Sequence, residues 1–129
     1  VALRLALDTN RYTDLCRGDP VTERHVAQAD SVYVPFVVAA ELRAGFAVGT
    51  RGQENERVLR RFLRKPGVQL LLPDEPTTSV YGALFKQLRQ QGTPIPTNDL
   101  WIAALAVQHG LTLCSRDEHF RHLPQLVRV

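Results

Sequence analysis

Short apolar segments, separated each time by a helical pattern, constrain this chain more than any other feature. Residues 3–7, 31–34, 68–72 and 111–114 read as strands of four or five residues, and 126–129 as a fifth. Helices are expected over about 12–17, 21–29, from 36 through Glu41 and Ala44, 53–65, 77–91 and 100–109. Strands that alternate with helices imply a mainly parallel sheet covered on both faces. The expected fold is therefore a three-layer α/β/α sandwich around a sheet of four to five strands. With 129 residues the chain can build one sizeable core but not two, so a single domain over 1–129 is expected.

The helix ends carry their own signals. Gly92 and Gly110 follow the last periodic residues of two helices, at the position that favours a left-handed backbone. Thr97 or Asn98 is the expected cap of the helix over 100–109, whose residues Trp101 to Val107 are apolar almost all round. That pattern marks a central buried helix, with Trp101 in the core or at a dimer interface. Asp99 then lies at the positive end of the helix dipole, which favours its ionised form.

Four carboxylates stand at or near the ends of these apolar elements: Asp8 after the first strand, Glu41 after Val37-Val38-Ala39-Ala40, Asp99 before the apolar helix, and Asp117 just past the strand over 111–114. One Asp in such a place is more often a helix cap than a ligand. Four together point to one edge of the sheet. Clustered carboxylates raise one another's pKa unless a cation compensates them. Mg²⁺ or Mn²⁺ takes oxygen ligands and commonly shares them with phosphate, so an all-acidic pocket suits phosphodiester chemistry.

Charge supports a phosphate partner without proving one. The net charge is +3, and of sixteen basic residues only Lys65 and Lys86 are lysine. Arginine grips phosphate with two donors at once, although a GC-rich genome would produce the same bias. Arg57, Arg60, Arg61, Arg64 and Lys65 recur at helical spacing on one side of the helix over 53–65, opposite Val58, Leu59, Phe62 and Leu63. Such a run is usually a solvated face, yet Arg57–Arg61 and Arg60–Arg64 repel at i,i+4, and a nucleic acid would relieve them. No apolar run nears the roughly 20 residues of a membrane span, and a cytosolic protein without membrane association is expected. Cys16 and Cys114, far apart and without ligand spacing, read as reduced core thiols.

The segments Asp8-Thr9-Asn10, Glu41-Leu-Arg-Ala-Gly45, Asn98-Asp99-Leu-Trp-Ile-Ala-Ala-Leu and Ser115-Arg-Asp117-Glu-His-Phe120 together resemble the PIN-domain ribonucleases, and within them the VapC-type toxins of toxin–antitoxin pairs. The resemblance covers essentially the whole chain. It implies a PIN-like fold, Mg²⁺- or Mn²⁺-dependent endonucleolytic cleavage of RNA, inhibition of translation, a homodimer and a cognate antitoxin. Carried over by position, it makes Asp8, Glu41, Asp99 and Asp117 the metal-holding catalytic acids. Asn10 stands where the family commonly has Ser or Thr, a mild departure, and Ser115 matches the polar residue two before the last acid. Both are expected to support the site through hydrogen bonds.

Other readings compete. A haloacid-dehalogenase-like phosphatase also opens with a strand ending in Asp, but here Asn10 replaces its second acid. A receiver domain lacks its acidic pair after the first strand. A non-toxin PIN-domain RNA-processing nuclease, or a PIN-like module that only binds RNA or protein, remains open. His119 reads as a surface histidine in a helical turn rather than a group acting in proton transfer, and Glu118 as either a fifth ligand or an exposed first-turn acid.

Overall fold

A computed structural model describes residues 2–129. Its four strands are β1 (Arg4–Leu7), β2 (Ser31–Pro35), β3 (Val68–Leu71) and β4 (Thr112–Cys114). They form one all-parallel sheet in the order β3-β2-β1-β4. Six helices flank it: α1 (Thr9–Cys16), α2 (Pro20–Gln28), α3 (Phe36–Val48), α4 (Gly52–Leu63), α5 (Glu75–Gln91) and α6 (Thr97–His109). The α/β/α reading of the sequence holds. None of these helices is long and apolar enough to cross a membrane.

The sheet order fixes where a site can form. β1 lies between β2 and β4, and Leu5, Ala6 and Leu7 are completely buried. From β1 the chain goes first to one side, through β2 to β3, and later returns to the other side as β4. Between β1 and β4 the connections diverge, and a crevice opens beyond the strands' carboxyl ends. Asp8 follows β1 there, its N–H still paired with Cys114 O at 3.0 Å.

The expected fifth strand is the main departure in the sheet. Residues 126–129 make one parallel bridge, Leu113 to Arg128, with Val129 N–H donating to Leu113 O at 2.9 Å and Leu113 N–H to Val127 O at 2.8 Å. The segment follows Leu123-Pro124 and meets β4 through this isolated bridge rather than a continuous ladder. It covers the free edge of β4 and buries Leu126.

Helix starts were displaced where proline intervenes. α5 begins at Glu75 rather than 77, because Pro76 in the first turn costs no hydrogen bond. Asp74 caps it, accepting from Thr77 N–H while Thr77 Oγ1 accepts from Asp74 N–H, and Gln108 of α6 donates to the same Asp74 carboxylate. Asp74→Ala is expected to cost about 1 kcal/mol in urea unfolding. A cost near zero would show that Gln108 and Thr77 do not depend on it. α6 begins at Thr97 after Pro96, with no side-chain cap, so neither Thr97 nor Asn98 has the expected role. Gly92 and Gly110 do end their helices with positive φ, 71° and 64°.

α6 is the buried centre of the helical layer, with Leu100 and Ile102 to Ala106 inaccessible. Trp101 is half-buried instead, stacked on Tyr81 with centroids 4.3 Å apart and edge-on to Phe36 at 6.0 Å. Cys114 is a core thiol as expected. Cys16, in the last turn of α1, is exposed, so that half of the cysteine reading is corrected.

Candidate acidic active site

Asp8 ends β1 and caps α1, its Oδ1 accepting from Thr9 N–H at 2.8 Å. The cap and site readings of this residue thus coincide. It is 4% exposed. Its other oxygen, Oδ2, accepts from Ser115 Oγ at 2.6 Å and from Asn10 Nδ2 at 3.4 Å. Ser115 Oγ in turn accepts from Asp117 N–H at 2.9 Å, so one hydroxyl links the first acid to the last. Asn10 uses both ends of its amide, since Oδ1 accepts from Arg116 N–H at 3.1 Å. An amide, with a donor and an acceptor, suits that bridge.

Asp117 lies between β4 and a 3₁₀ turn (Glu118–His122), whose start it caps through His119 N–H at 2.9 Å. Asp99 comes from the first turn of α6. Glu41 sits within α3, as the helical pattern through it implies, on an exposed turn where Thr9 Oγ1 donates to its Oε1 at 2.8 Å.

The four carboxylates act on one another. Burial raises the pKa of Asp8, the bonds from Ser115 and Thr9 oppose it, and the charges of Glu41 and Asp117 raise it further. Burial also raises Asp99, with Asp117 and Asp8 adding to it and the bond from His119 opposing. Asp99 does lie in the first turn of α6, as expected, and burial is the largest influence on its pKa.

His119 is a half-exposed histidine in a helical turn, as expected, and its Nδ1 lies 2.8 Å from Asp99 Oδ2 and 3.0 Å from Asp117 Oδ1. The bond to Asp99 raises its pKa above the usual imidazole value. Asp99, Asp117 and His119 offer ligand atoms within 4.8 Å of one another. Glu118 is exposed and pairs only loosely, at 3.9 Å, with Arg121.

Two charged residues that the sequence did not single out hold this edge together. Asp14 of α1 accepts from Arg116 Nε at 2.7 Å and Nη2 at 3.0 Å, and from Arg11 Nη1 at 3.2 Å. No spacing in the sequence announces a pair 102 residues apart. The Arg116 guanidinium holds Asp14 below the usual carboxylate range. The stability from that shift is complete above the unfolded value near 3.8 and is lost as pH falls through the lower folded value. The stability gap between the parent and Asp14→Asn should therefore be constant from about pH 7 to about pH 4 and close below it. Denaturant unfolding across that range measures it, and a gap that widens in acid would contradict the pairing.

The basic residues of α4 are not part of this cluster. α4 packs on α3 and β3 through Leu59 and Phe62. Arg60 is engaged by Glu56 at 2.9 Å, and Glu56 also takes Arg43. Arg57, Arg61, Arg64 and Lys65 have no ion-pair partner among the described residues, and Lys65 lies over the Phe62 ring.

A parallel sheet with carboxylates gathered where its connections diverge defines a class of acidic α/β site, and the sequence identifies which. Residues 5–126 match the PIN domain, and the chain belongs to that family. It is 34% identical to Toxin FitB of Neisseria gonorrhoeae over 122 residues, 88% of this chain and 87% of that protein. It is 31% identical to Ribonuclease VapC1 of Haemophilus influenzae over 126 residues, 93% and 92% of the two chains. Among solved structures, that of VapBC-1 from nontypeable Haemophilus influenzae superposes with a TM-score of 0.86 at 28% identity, over 98% of this chain and 97% of that one. FitAcB from Neisseria gonorrhoeae gives 0.75 at 30% identity, over 96% and 95%.

Proposed function

We propose that this chain is a metal-dependent endoribonuclease, the toxin of a toxin–antitoxin pair, which hydrolyses RNA phosphodiester bonds and so inhibits translation. The observation that carries the reading is the coupling of Asp8, Glu41, Asp99 and Asp117 at one sheet edge within a PIN fold. The donor set fits a hard cation: carboxylate oxygens, two of them on groups that burial and like charge leave short of compensation. His119 Nδ1 lies between Asp99 and Asp117, so a nitrogen ligand stands beside the carboxylate oxygens there.

Mg²⁺ or Mn²⁺ bound among these oxygens would offset the clustered charge, polarise a phosphoryl oxygen and ease deprotonation of water. The chain's own residues do the rest. Ser115 and the Thr9 N–H orient Asp8 and favour its ionised form against the cost of burial, Thr9 Oγ1 fixes Glu41, and His119 Nδ1 bridges Asp99 and Asp117. Arg57, Arg61, Arg64 and Lys65 offer unpaired charge to an RNA backbone, whereas Arg60 is partly engaged by Glu56. Attack by water with breakage of the P–O3′ bond, the 3′-oxygen leaving and taking up a proton, gives 5′-phosphate and 3′-hydroxyl ends.

The names of the relatives support this reading, since VapC1 is a ribonuclease and FitB a toxin. Solved neighbours titled as VapBC and toxin–antitoxin complexes support a cognate antitoxin as partner. A homodimer belongs to the same proposal. The test is cleavage of total RNA by antitoxin-free protein with Mg²⁺, Mn²⁺ or EDTA, beside Asp8→Ala and Asp99→Ala. Discrete metal-dependent cuts absent in both variants are expected. Cyclic-phosphate ends formed in EDTA would overturn the mechanism, because they require attack by the RNA's own 2′-hydroxyl.

A further inference from the structure

Arg116 stands between Ser115 and Asp117, and its contacts join the two sides of the acidic crevice. Its backbone N–H is held by Asn10 at the start of α1, and its guanidinium by Asp14 one turn further along the same helix. Asp14 is in turn braced by Arg11, which also reaches Asp19, the cap of α2, at 3.7 Å. The segment leaving β4 is therefore clamped to α1 by a two-pronged ion pair and a backbone bond. A bidentate Arg–carboxylate pair permits one relative orientation of its two planes, unlike a single contact.

The residues on either side of Arg116 are the ones that matter to the site. Ser115 Oγ spans Asp8 and the Asp117 N–H, and Asp117 meets Asp99 through His119. A displacement of Arg116 is passed to both neighbours through the backbone, which changes the separation of Asp8 from Asp117. We infer that Asp14, acting through Arg116, is a positioning residue of the acidic site, holding Ser115 against Asp8 and Asp117 beside Asp99 and His119, the groups that would hold a cation. This rests on the metal-dependent reading above.

Exposure argues that the pair serves the site more than the fold. The Arg116 side chain is 53% exposed and that of Asp14 14%. With one partner so open, the pair adds only modestly to global stability even with its bidentate geometry and the Arg11 brace. Groups that orient metal ligands without touching the metal commonly matter about 10- to 100-fold to affinity or activity.

Mn²⁺ affinity by calorimetry, kcat and KM on one RNA substrate, and thermal stability are measured for the parent, Asp14→Asn, Arg116→Ala, the double variant and Arg116→Lys. Mn²⁺ affinity and kcat are expected to fall about tenfold in Asp14→Asn and in Arg116→Ala, with KM changed less than about twofold. The double variant should be no worse than either single one, because both break the same contact. Arg116→Lys, which keeps charge but not the fork, should recover part of the loss. Unchanged Mn²⁺ affinity and kcat in Asp14→Asn, with only a lower melting temperature, would overturn the inference in favour of a purely structural pair. A raised KM in Arg116→Ala that Asp14→Asn does not share would overturn it too, placing Arg116 on the substrate instead. Failure of the parent to take up Mn²⁺ would remove the metal reading itself and the inference with it, a result distinct from the other two.

Discussion

Asp8→Asn is expected to abolish RNA cleavage, by about a thousandfold or more, while leaving the metal-free protein at least as stable as the parent. The two effects have one cause. Asp8 is buried beside Glu41 and Asp117, so its charge is costly in the absence of a compensating cation. An asparagine of the same shape removes that charge and keeps most of the bonds. Its Oδ1 still accepts from Thr9 N–H, and its Nδ2 meets Ser115 Oγ, whose hydroxyl can turn to accept. The weak 3.4 Å contact with Asn10 is lost. A gain of up to about 1–2 kcal/mol in EDTA is expected, of the size found when strained functional groups are relieved.

Asp8→Ala separates the two causes. It is equally inactive, but it strips the cap from α1 and leaves Ser115 Oγ without its buried acceptor, at a cost of about 1–3 kcal/mol. Urea unfolding in EDTA and single-turnover cleavage in Mn²⁺ measure both quantities. Cleavage retained in Asp8→Asn would remove Asp8 from the chemistry. Equal destabilisation by Asn and Ala would show that the buried charge carries no strain.

Residues close in sequence were legible and partners far apart were not. The strands β1 to β4 and all six helices follow from local periodicity, and Gly92 and Gly110 from the left-handed backbone a helix end requires. The four acids stand out as candidates because each falls near an element's margin or just after an apolar run. Glu41 lies on α3, as its helical pattern implies, but its support by the Thr9 hydroxyl was not legible. His119 is the surface histidine its position in a turn implies, but that its ring bridges two acids depends on α6 packing against that turn. The Asp14–Arg116 clamp and the bond from Thr9 to Glu41 join segments 102 and 32 residues apart. Only the closing of β1 against β4, and of α1 against α3, brings those partners together.

The turn that carries Asp117 and His119 needs an anchor, and Phe120 is the side chain that provides it. It is completely inaccessible and is among the largest such residues in the protein, although its element is only the five-residue 3₁₀ turn. So short a turn makes few hydrogen bonds of its own, and burial of the ring holds it against α6. Phe120→Ala is expected to cost about 3–5 kcal/mol, the usual range for emptying an aromatic site. A domain stable by about 5–15 kcal/mol survives that loss only in part. The loss should appear as a lower urea midpoint with an unchanged m-value. Because the lining of the cavity relaxes toward it, Asp117 and His119 should shift from Asp99, and Mn²⁺ affinity should fall in the fraction that stays folded. Phe120→Leu, which keeps most of the volume, should cost about 1.5 kcal/mol or less and preserve metal binding. This is the reverse of the Asp8→Asn result, where activity goes and stability stays. A cost below about 1 kcal/mol for the alanine variant would mean that the 3₁₀ turn is held by its capping bond from Asp117 rather than by the core.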